Sequence, residues 1–230
     1  VSGEVMLDWF FHALGYGLCH QLPERSYFAG GYQLPVCARD TGIYLGFALG
    51  ILVLWALARR TRPTELPQWP VLVLIGLFVG SMAIDGVTSY AGLRQTTNDL
   101  RLATGLATGW GLAALTVPMV NAQLWRRSGS GRVPEGAGQV LLWVAALVAA
   151  FGATRWLLPL TGVVYPLVTS AAIIVTFVAV NLVFVGLMPP FERAADRWRD
   201  AGLQLLIAAL LTATEIIGAA ALRIGLESLA

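Results

Sequence analysis

Pro70 to Tyr90 reads PVLVLIGLFVGSMAIDGVTSY, a stretch in which Asp85 is the one charged residue. A helix of this length, rising ~1.5 Å per residue, matches the ~30 Å hydrocarbon core of a bilayer. Its apolar groups run all the way round, so no single protein face could bury them and lipid has to be the solvent for part of the surface. Five more segments have the same character: Thr41 to Ala58, Leu100 to Trp125, Gln139 to Leu158, Gly162 to Leu187 and Ala201 to Leu222. The expected fold is an all-α polytopic transmembrane bundle of about six spans, forming one integral membrane domain over residues 1–230.

Composition agrees with that reading. Hydrophobic residues make up 57% of the 230 and charged residues 12%, where soluble domains carry about 25% charged residues. Mean hydropathy is +0.71. The net charge of +2 and the lack of any basic run give no reason to expect a nucleic-acid partner. All basic side chains are Arg.

The arginines set the expected orientation. Arg59, Arg60 and Arg62 follow the first span, Arg126, Arg127 and Arg132 the third, and Arg193, Arg197 and Arg199 the fifth. Six spans put all three groups on one side, which the positive-inside rule makes cytoplasmic in a plasma-membrane protein. The 19–40 loop and the Ala91 to Asp99 connection then face outward. Arg126 to Gly138 reads as a flexible loop and Phe191 to Asp200 as a short charged surface helix. Residues 1–18 place Glu4, Asp8 and His12 at helical spacing opposite Trp9, Phe10 and Leu14. That pattern fits an amphipathic interfacial helix or, equally, one packed on the bundle. No cleavable signal is read, so insertion is expected to rely on the spans themselves.

Helix rise converts this topology into depth. Asp85 stands ~22 Å up the second span, Glu215 ~21 Å up the sixth and Arg155 ~24 Å up the fourth. Arg94, Asn98 and Arg101 share one helical face at i, i+4, i+7. These groups are expected in one outer-half layer beneath the 19–40 loop. Ionisable groups at membrane depth are costly and are usually paired or functional. Arg155 with Glu215 is the expected structural charge pair, and Arg101 with Asp85 is a second candidate.

That loop carries both cysteines in the words Cys19-His-Gln-Leu-Pro-Glu-Arg-Ser26 and Leu34-Pro-Val-Cys-Ala-Arg-Asp-Thr-Gly-Ile-Tyr-Leu-Gly46. Cys19, His20, Cys37 and Asp40 are all ligand types for zinc. In an oxidising exterior, a Cys19–Cys37 disulfide competes with the metal as the simpler account of the spacing, and free thiols are a third state. Arg25, Arg39, Arg94, Asn98 and Arg101 form a candidate site for an anionic head group, since guanidinium forks suit phosphate and carboxylate. His20, Asp40 and Asp85 are the candidate acid–base groups. With two histidines and no phosphate-binding loop, neither haem nor nucleotide is expected.

These two words resemble the signature of an uncharacterised prokaryotic family of predicted membrane proteins, known only as a domain of unknown function. The resemblance continues through Ala83-Ile-Asp-Gly-Val-Thr88 and Gly92-Leu-Arg-Gln-Thr-Thr-Asn-Asp-Leu-Arg-Leu-Ala-Thr-Gly105 and covers roughly Trp9 to Gly111. It implies a membrane fold and functional weight at Cys19, His20, Arg25, Cys37, Arg39, Asp85, Arg94, Asn98 and Arg101. It also implies that relatives carry Cys where this chain has Asp40. This strengthens the metal reading without displacing the disulfide.

Three functions are weighed on these grounds. The first is an outward-facing pocket that binds an anionic lipid-like ligand, with metal-assisted modification of it. The second is a non-catalytic subunit of a larger membrane complex. The third and weakest is a solute or ion carrier using Asp85 and Glu215.

Overall fold

A computed structural model describes residues 3–58 and 61–229; Arg59 and Arg60 lie outside the described residues. Seven helices carry the architecture among them: α1 Gly3–Tyr16, α2 Ala38–Ala58, α3 Trp69–Tyr90, α4 Asn98–Leu124, α5 Gly136–Gly152, α6 Val164–Gly186 and α7 Gly202–Glu227. After Gly152, α5 continues through a π-helical turn at Ala153–Leu157 and a 3-10 turn to Thr161. Six of these helices, α2 to α7 with the α5 extension, are long and apolar enough to cross a membrane. The all-α polytopic fold and the six spans are as expected, with ends shifted by a few residues.

Helices α2, α4 and α6 form the centre, and α3, α5 and α7 turn most of their surface outward. The tightest seam joins α2 to α4. Gly42, Gly46 and Gly50 recur every fourth residue on α2, and Gly105 and Gly109 do so on α4. A Cβ at Gly46 would stand 2.2 Å from the Leu106 carbonyl oxygen, and one at Gly109 would stand 1.9 Å from that of Ile43. The two backbones touch, so only glycine fits. Small residues every fourth position are how membrane helices gain dispersion contact, because lipid leaves little hydrophobic drive for association. Farther along, Phe47 and Leu54 of α2 pack with Trp110 of α4, Trp143 of α5 and Ile75 of α3.

The two ends of the bundle differ. At one end lie residues 17–37, the 91–97 connection, the α5–α6 turn and the end of α7. Here β1 (Phe28–Ala29) and β2 (Tyr32–Gln33) form a short antiparallel hairpin. The other end collects Arg62 and the arginines that follow α4 and α6. There β3 (Pro63–Glu65) pairs in parallel with β4 (Gly129–Arg132), so the 126–138 segment expected to be flexible is partly paired. Phe191 to Asp200 forms turns rather than the expected surface helix. Its backbone is taken by the end of α4: Arg126 N–H donates to Ala195 O at 2.8 Å, and Ala195 N–H to Leu124 O at 3.1 Å. Arg193 adopts a left-handed φ of 49° that a helix could not contain.

Helix α1 packs on the bundle along one side, and Trp9 and Phe10 stay exposed. Glu4, Asp8 and His12 are exposed while Phe11 and Gly15 are buried. Its C-terminal end docks on α7, where Arg223 donates to the carbonyls of Tyr16 and Cys19 at 2.6 and 2.8 Å.

Candidate functional site

The two cysteine words meet because the backbone around them is pinned. Gly15 lets α1 approach Pro35 so closely that a Cβ there would overlap its carbonyl. Gln21 sits at a left-handed φ of 53° and is buried. Its amide donates to His12 O at 3.0 Å and to Pro35 O at 2.7 Å. Gln33 in turn donates to Gln21 O at 2.8 Å. Together with Arg223 on the Cys19 carbonyl, these bonds hold residue 19 against residue 37.

Cys37 occupies the N-cap position of α2, its carbonyl accepting from Thr41 N–H at 2.8 Å. Cys37 N–H donates to Cys19 Sγ at 3.3 Å, and Cys37 Sγ–H to Asp40 Oδ2 at 3.2 Å. The two sulfurs and one Asp40 oxygen lie within 4.8 Å of one another. Sulfurs bound to one zinc at about 2.3 Å stand about 3.8 Å apart, so closing on an ion would take little movement. Both thiols are free. The Cys37 thiol is pushed well above the usual thiol range, first by its hydrogen bond to Cys19, then by burial and the neighbouring Asp40. Cys19 is held below that range, chiefly by the Cys37 hydrogen bond. The two thiols are coupled, so the proton is held more firmly at Cys37 than at Cys19.

One residue before Asp40, Arg39 points the other way, towards α3. Asp85 is 1% exposed and is met by three donor groups. Arg39 and Arg94 each reach it at 2.5 Å, Thr96 adds a hydroxyl at 2.7 Å, and Arg94 Nε also donates to Thr88 at 2.9 Å. Beside this knot Arg101 is 8% exposed. It donates to Asn98 Oδ1 at 2.9 Å, and among the described residues no carboxylate pairs with it. Asn98 is fixed by donating to Glu24 O at 3.2 Å. Arg25, next in the loop, lies 5.4 Å over the Tyr90 ring. The contact of Gly42 with Leu102 O sets Arg101 beside the first turn of α2, within electrostatic reach of Cys37, Arg39, Arg25 and Asp85.

The structure brings Cys19, Cys37 and Asp40 together and sets Arg39, Asp85, Arg94, Asn98 and Arg101 beside them, while Glu215 lies apart on Asn181, and three expectations need correction. His20 is exposed and stands outside the Cys19–Cys37–Asp40 group, because neighbouring side chains diverge from the backbone and residue 19 already points inward. Arg155 does not pair with Glu215. It reaches Asp99 at 2.6 Å from the π-helical turn, while Glu215 accepts from Asn181 at 2.8 Å. The added turn swings Arg155 towards the α4 N-terminus. Asp85, expected as an acid–base group or as the partner of Arg101, is saturated by Arg39, Arg94 and Thr96, which makes it the organiser of the arginines.

Sequence reasoning missed Gln21, Thr96, Arg223 and Tyr27, whose hydroxyl donates to Asp99 at 2.9 Å. Burial, with the Asp99 bond second, pushes the Tyr27 phenol above its usual range. Gln21 was legible inside the Cys-His-Gln word. The others depend on contacts between distant segments.

Residues 19–115, which hold nearly all of these groups, match the family described as predicted membrane protein, DUF2085. An uncharacterized protein of Methanocaldococcus jannaschii is 31% identical over 54% of this chain and 81% of its own length. The chain belongs to this family. An uncharacterized protein of Methanothermobacter thermautotrophicus is 39% identical over 43% of this chain and 84% of its own length. No solved structure matches. Helices α5, α6 and α7 lie beyond the family match, so within the family region the site is built on α2, α3, α4 and the cysteine loop.

Proposed function

We propose that this membrane protein binds an anionic, lipid-like ligand at its cysteine-loop end and modifies it with the help of a metal ion held by Cys19, Cys37 and Asp40. The observation that carries the reading is Arg101. A guanidinium withdrawn from water without a counter-charge is costly, and membrane proteins keep such groups where a ligand or partner supplies the missing anion. Arg25 and Asn98 flank it with further donors, and guanidinium forks suit phosphate and carboxylate alike. The head group would enter from the interface while its apolar part stays in lipid. Two thiolates and a carboxylate fit zinc, and a three-ligand zinc keeps a coordination position for water or a ligand oxygen. His20, at the rim, is available to move a proton there.

The positive-inside rule puts the arginine-rich end in the cytoplasm, and hence this site on the outer face of the plasma membrane. A carrier role for Asp85 is disfavoured by Arg39, Arg94 and Thr96, which already occupy its carboxylate. A subunit role would use the outward surfaces of α3, α5 and α7, which lipid covers equally well.

The test is retention of anionic lipid by purified protein, followed by native mass spectrometry. Arg101→Ala should lose the bound lipid while keeping the helical content and melting temperature of the parent, and Arg101→Lys should keep part of it. Equal retention by a folded Arg101→Ala protein would refute the reading. Metal analysis of the same samples should find about one zinc per chain.

A further inference from the structure

A cavity of about 1200 Å³ opens at the opposite, arginine-rich end, between α2, α4, α6 and the start of α7. It shares no residue with the site above, and its reading stands apart from that one. Its lining is segregated. Ile51 of α2, Val117 and Val120 of α4, and Val175 and Val178 of α6 line it deep in the bundle, while Arg62, Arg127, Trp55, Trp125 and Trp198 line it near the helix ends.

Its depth matches half a bilayer. Ile51 and Val117 each lie seven residues from the ends of α2 and α4, ~10 Å at helical rise. Val175 lies eleven residues from the end of α6, ~16 Å by the same rise. One leaflet of hydrocarbon is ~15 Å thick. A soluble anion would have no use for such an apolar shaft, and an acyl chain would fill it.

The mouth carries uncompensated positive charge. Arg62 is stacked 3.8 Å over the Trp125 ring, and both its terminal nitrogens donate to the Asp196 backbone carbonyl at 3.1 Å. The Asp196 carboxylate is engaged elsewhere, by Arg126 at 3.1 Å. Arg127 is exposed, and among the described residues no acid pairs with it. Trp125 is fixed by its indole N–H donating to Asn121 at 3.0 Å. Trp55 and Trp198 stand exposed at the level where indole rings favour the membrane interface.

We infer that this cleft is a binding site for an anionic phospholipid, its phosphate-bearing head group at Arg62 and Arg127 and an acyl chain along α2, α4 and α6. Basic pockets between spans that pair a cationic rim with an apolar shaft are suited to this class of ligand.

The test uses the full-length protein in detergent, titrated with phosphatidylglycerol, phosphatidylcholine or inorganic phosphate and read by native mass spectrometry. It is run in parallel on the Arg101→Ala variant, so that binding at the cysteine-loop end is counted separately. Phosphatidylglycerol should bind more tightly than phosphatidylcholine, and inorganic phosphate should not displace it. Arg127→Ala, which removes no side-chain hydrogen bond or ion pair among the described residues, should weaken phosphatidylglycerol about fivefold, the effect of one arginine at a membrane surface. Val175→Trp, at a partly exposed position on the cleft wall, should abolish binding by filling the shaft. Equal affinity for the two lipids would overturn the inference. So would displacement by inorganic phosphate, or unchanged binding in a folded Val175→Trp protein.

Discussion

Asp85 and Arg101 are neighbours with opposite situations, and their substitutions should behave oppositely. Asp85→Asn leaves Arg39 without a counter-charge in a low-dielectric setting, where breaking a buried pair costs about 3–5 kcal/mol. A large fall in thermal stability is the expected result, read by melting in detergent. Arg155→Ala removes an ion pair whose side chains are 33% and 51% exposed. Solvent screening limits its effect to roughly 1 kcal/mol or less, so its melting point should barely move. At the thiols, a lowered pKa means the thiolate persists to lower pH. Whatever stability the Cys19 thiolate contributes is present above the ordinary thiol pKa and is lost as pH falls through the depressed one. Iodoacetamide mapping should therefore find Cys19 modified at lower pH than Cys37, which keeps its proton longer. Asp40→Cys should retain bound metal, whereas Cys37→Ser should lose it, as metal analysis would show.

At the scale of elements, the α2–α4 seam fixes everything near it. Gly42 against Leu102 and Gly109 against Ile43 hold Arg39, Asp40 and Arg101 in one layer. A side chain at Gly109 cannot be absorbed by rotamer change, because the atom in its way is a backbone carbonyl. Gly109→Leu should separate the helices, with at least the 1–3 kcal/mol typical of overpacking, and should lower the melting temperature together with metal and lipid retention. The glycine spacing on α4 was legible in the sequence as a close-packing face. The matching stripe on α2, Gly42, Gly46 and Gly50, lies within the apolar run Thr41 to Ala58, and one small-residue face does not say which helix it meets.

At the scale of the whole molecule, the six spans place the cysteine-loop and arginine-rich ends on opposite faces. Cysteine introduced at Leu93 should react with a membrane-impermeant maleimide in intact cells, and cysteine at Ser130 only after permeabilisation. The reverse pattern would invert the proposed orientation. Apolar run lengths and the placing of arginines determined the spans and their alternation, because the bilayer imposes one length and one backbone solution on every crossing. The sequence by itself also marked Cys19, Cys37, Asp40, Arg39 and Arg101 as polar words in apolar text. It could not assign partners. Whether Arg155 met Glu215 or Asp99, whether His20 joined the thiols, and whether Asp85 was free or saturated were decided by helix rotation, a π-helical turn and a pinned loop. These are relations between segments far apart in the chain, and only packing determines them.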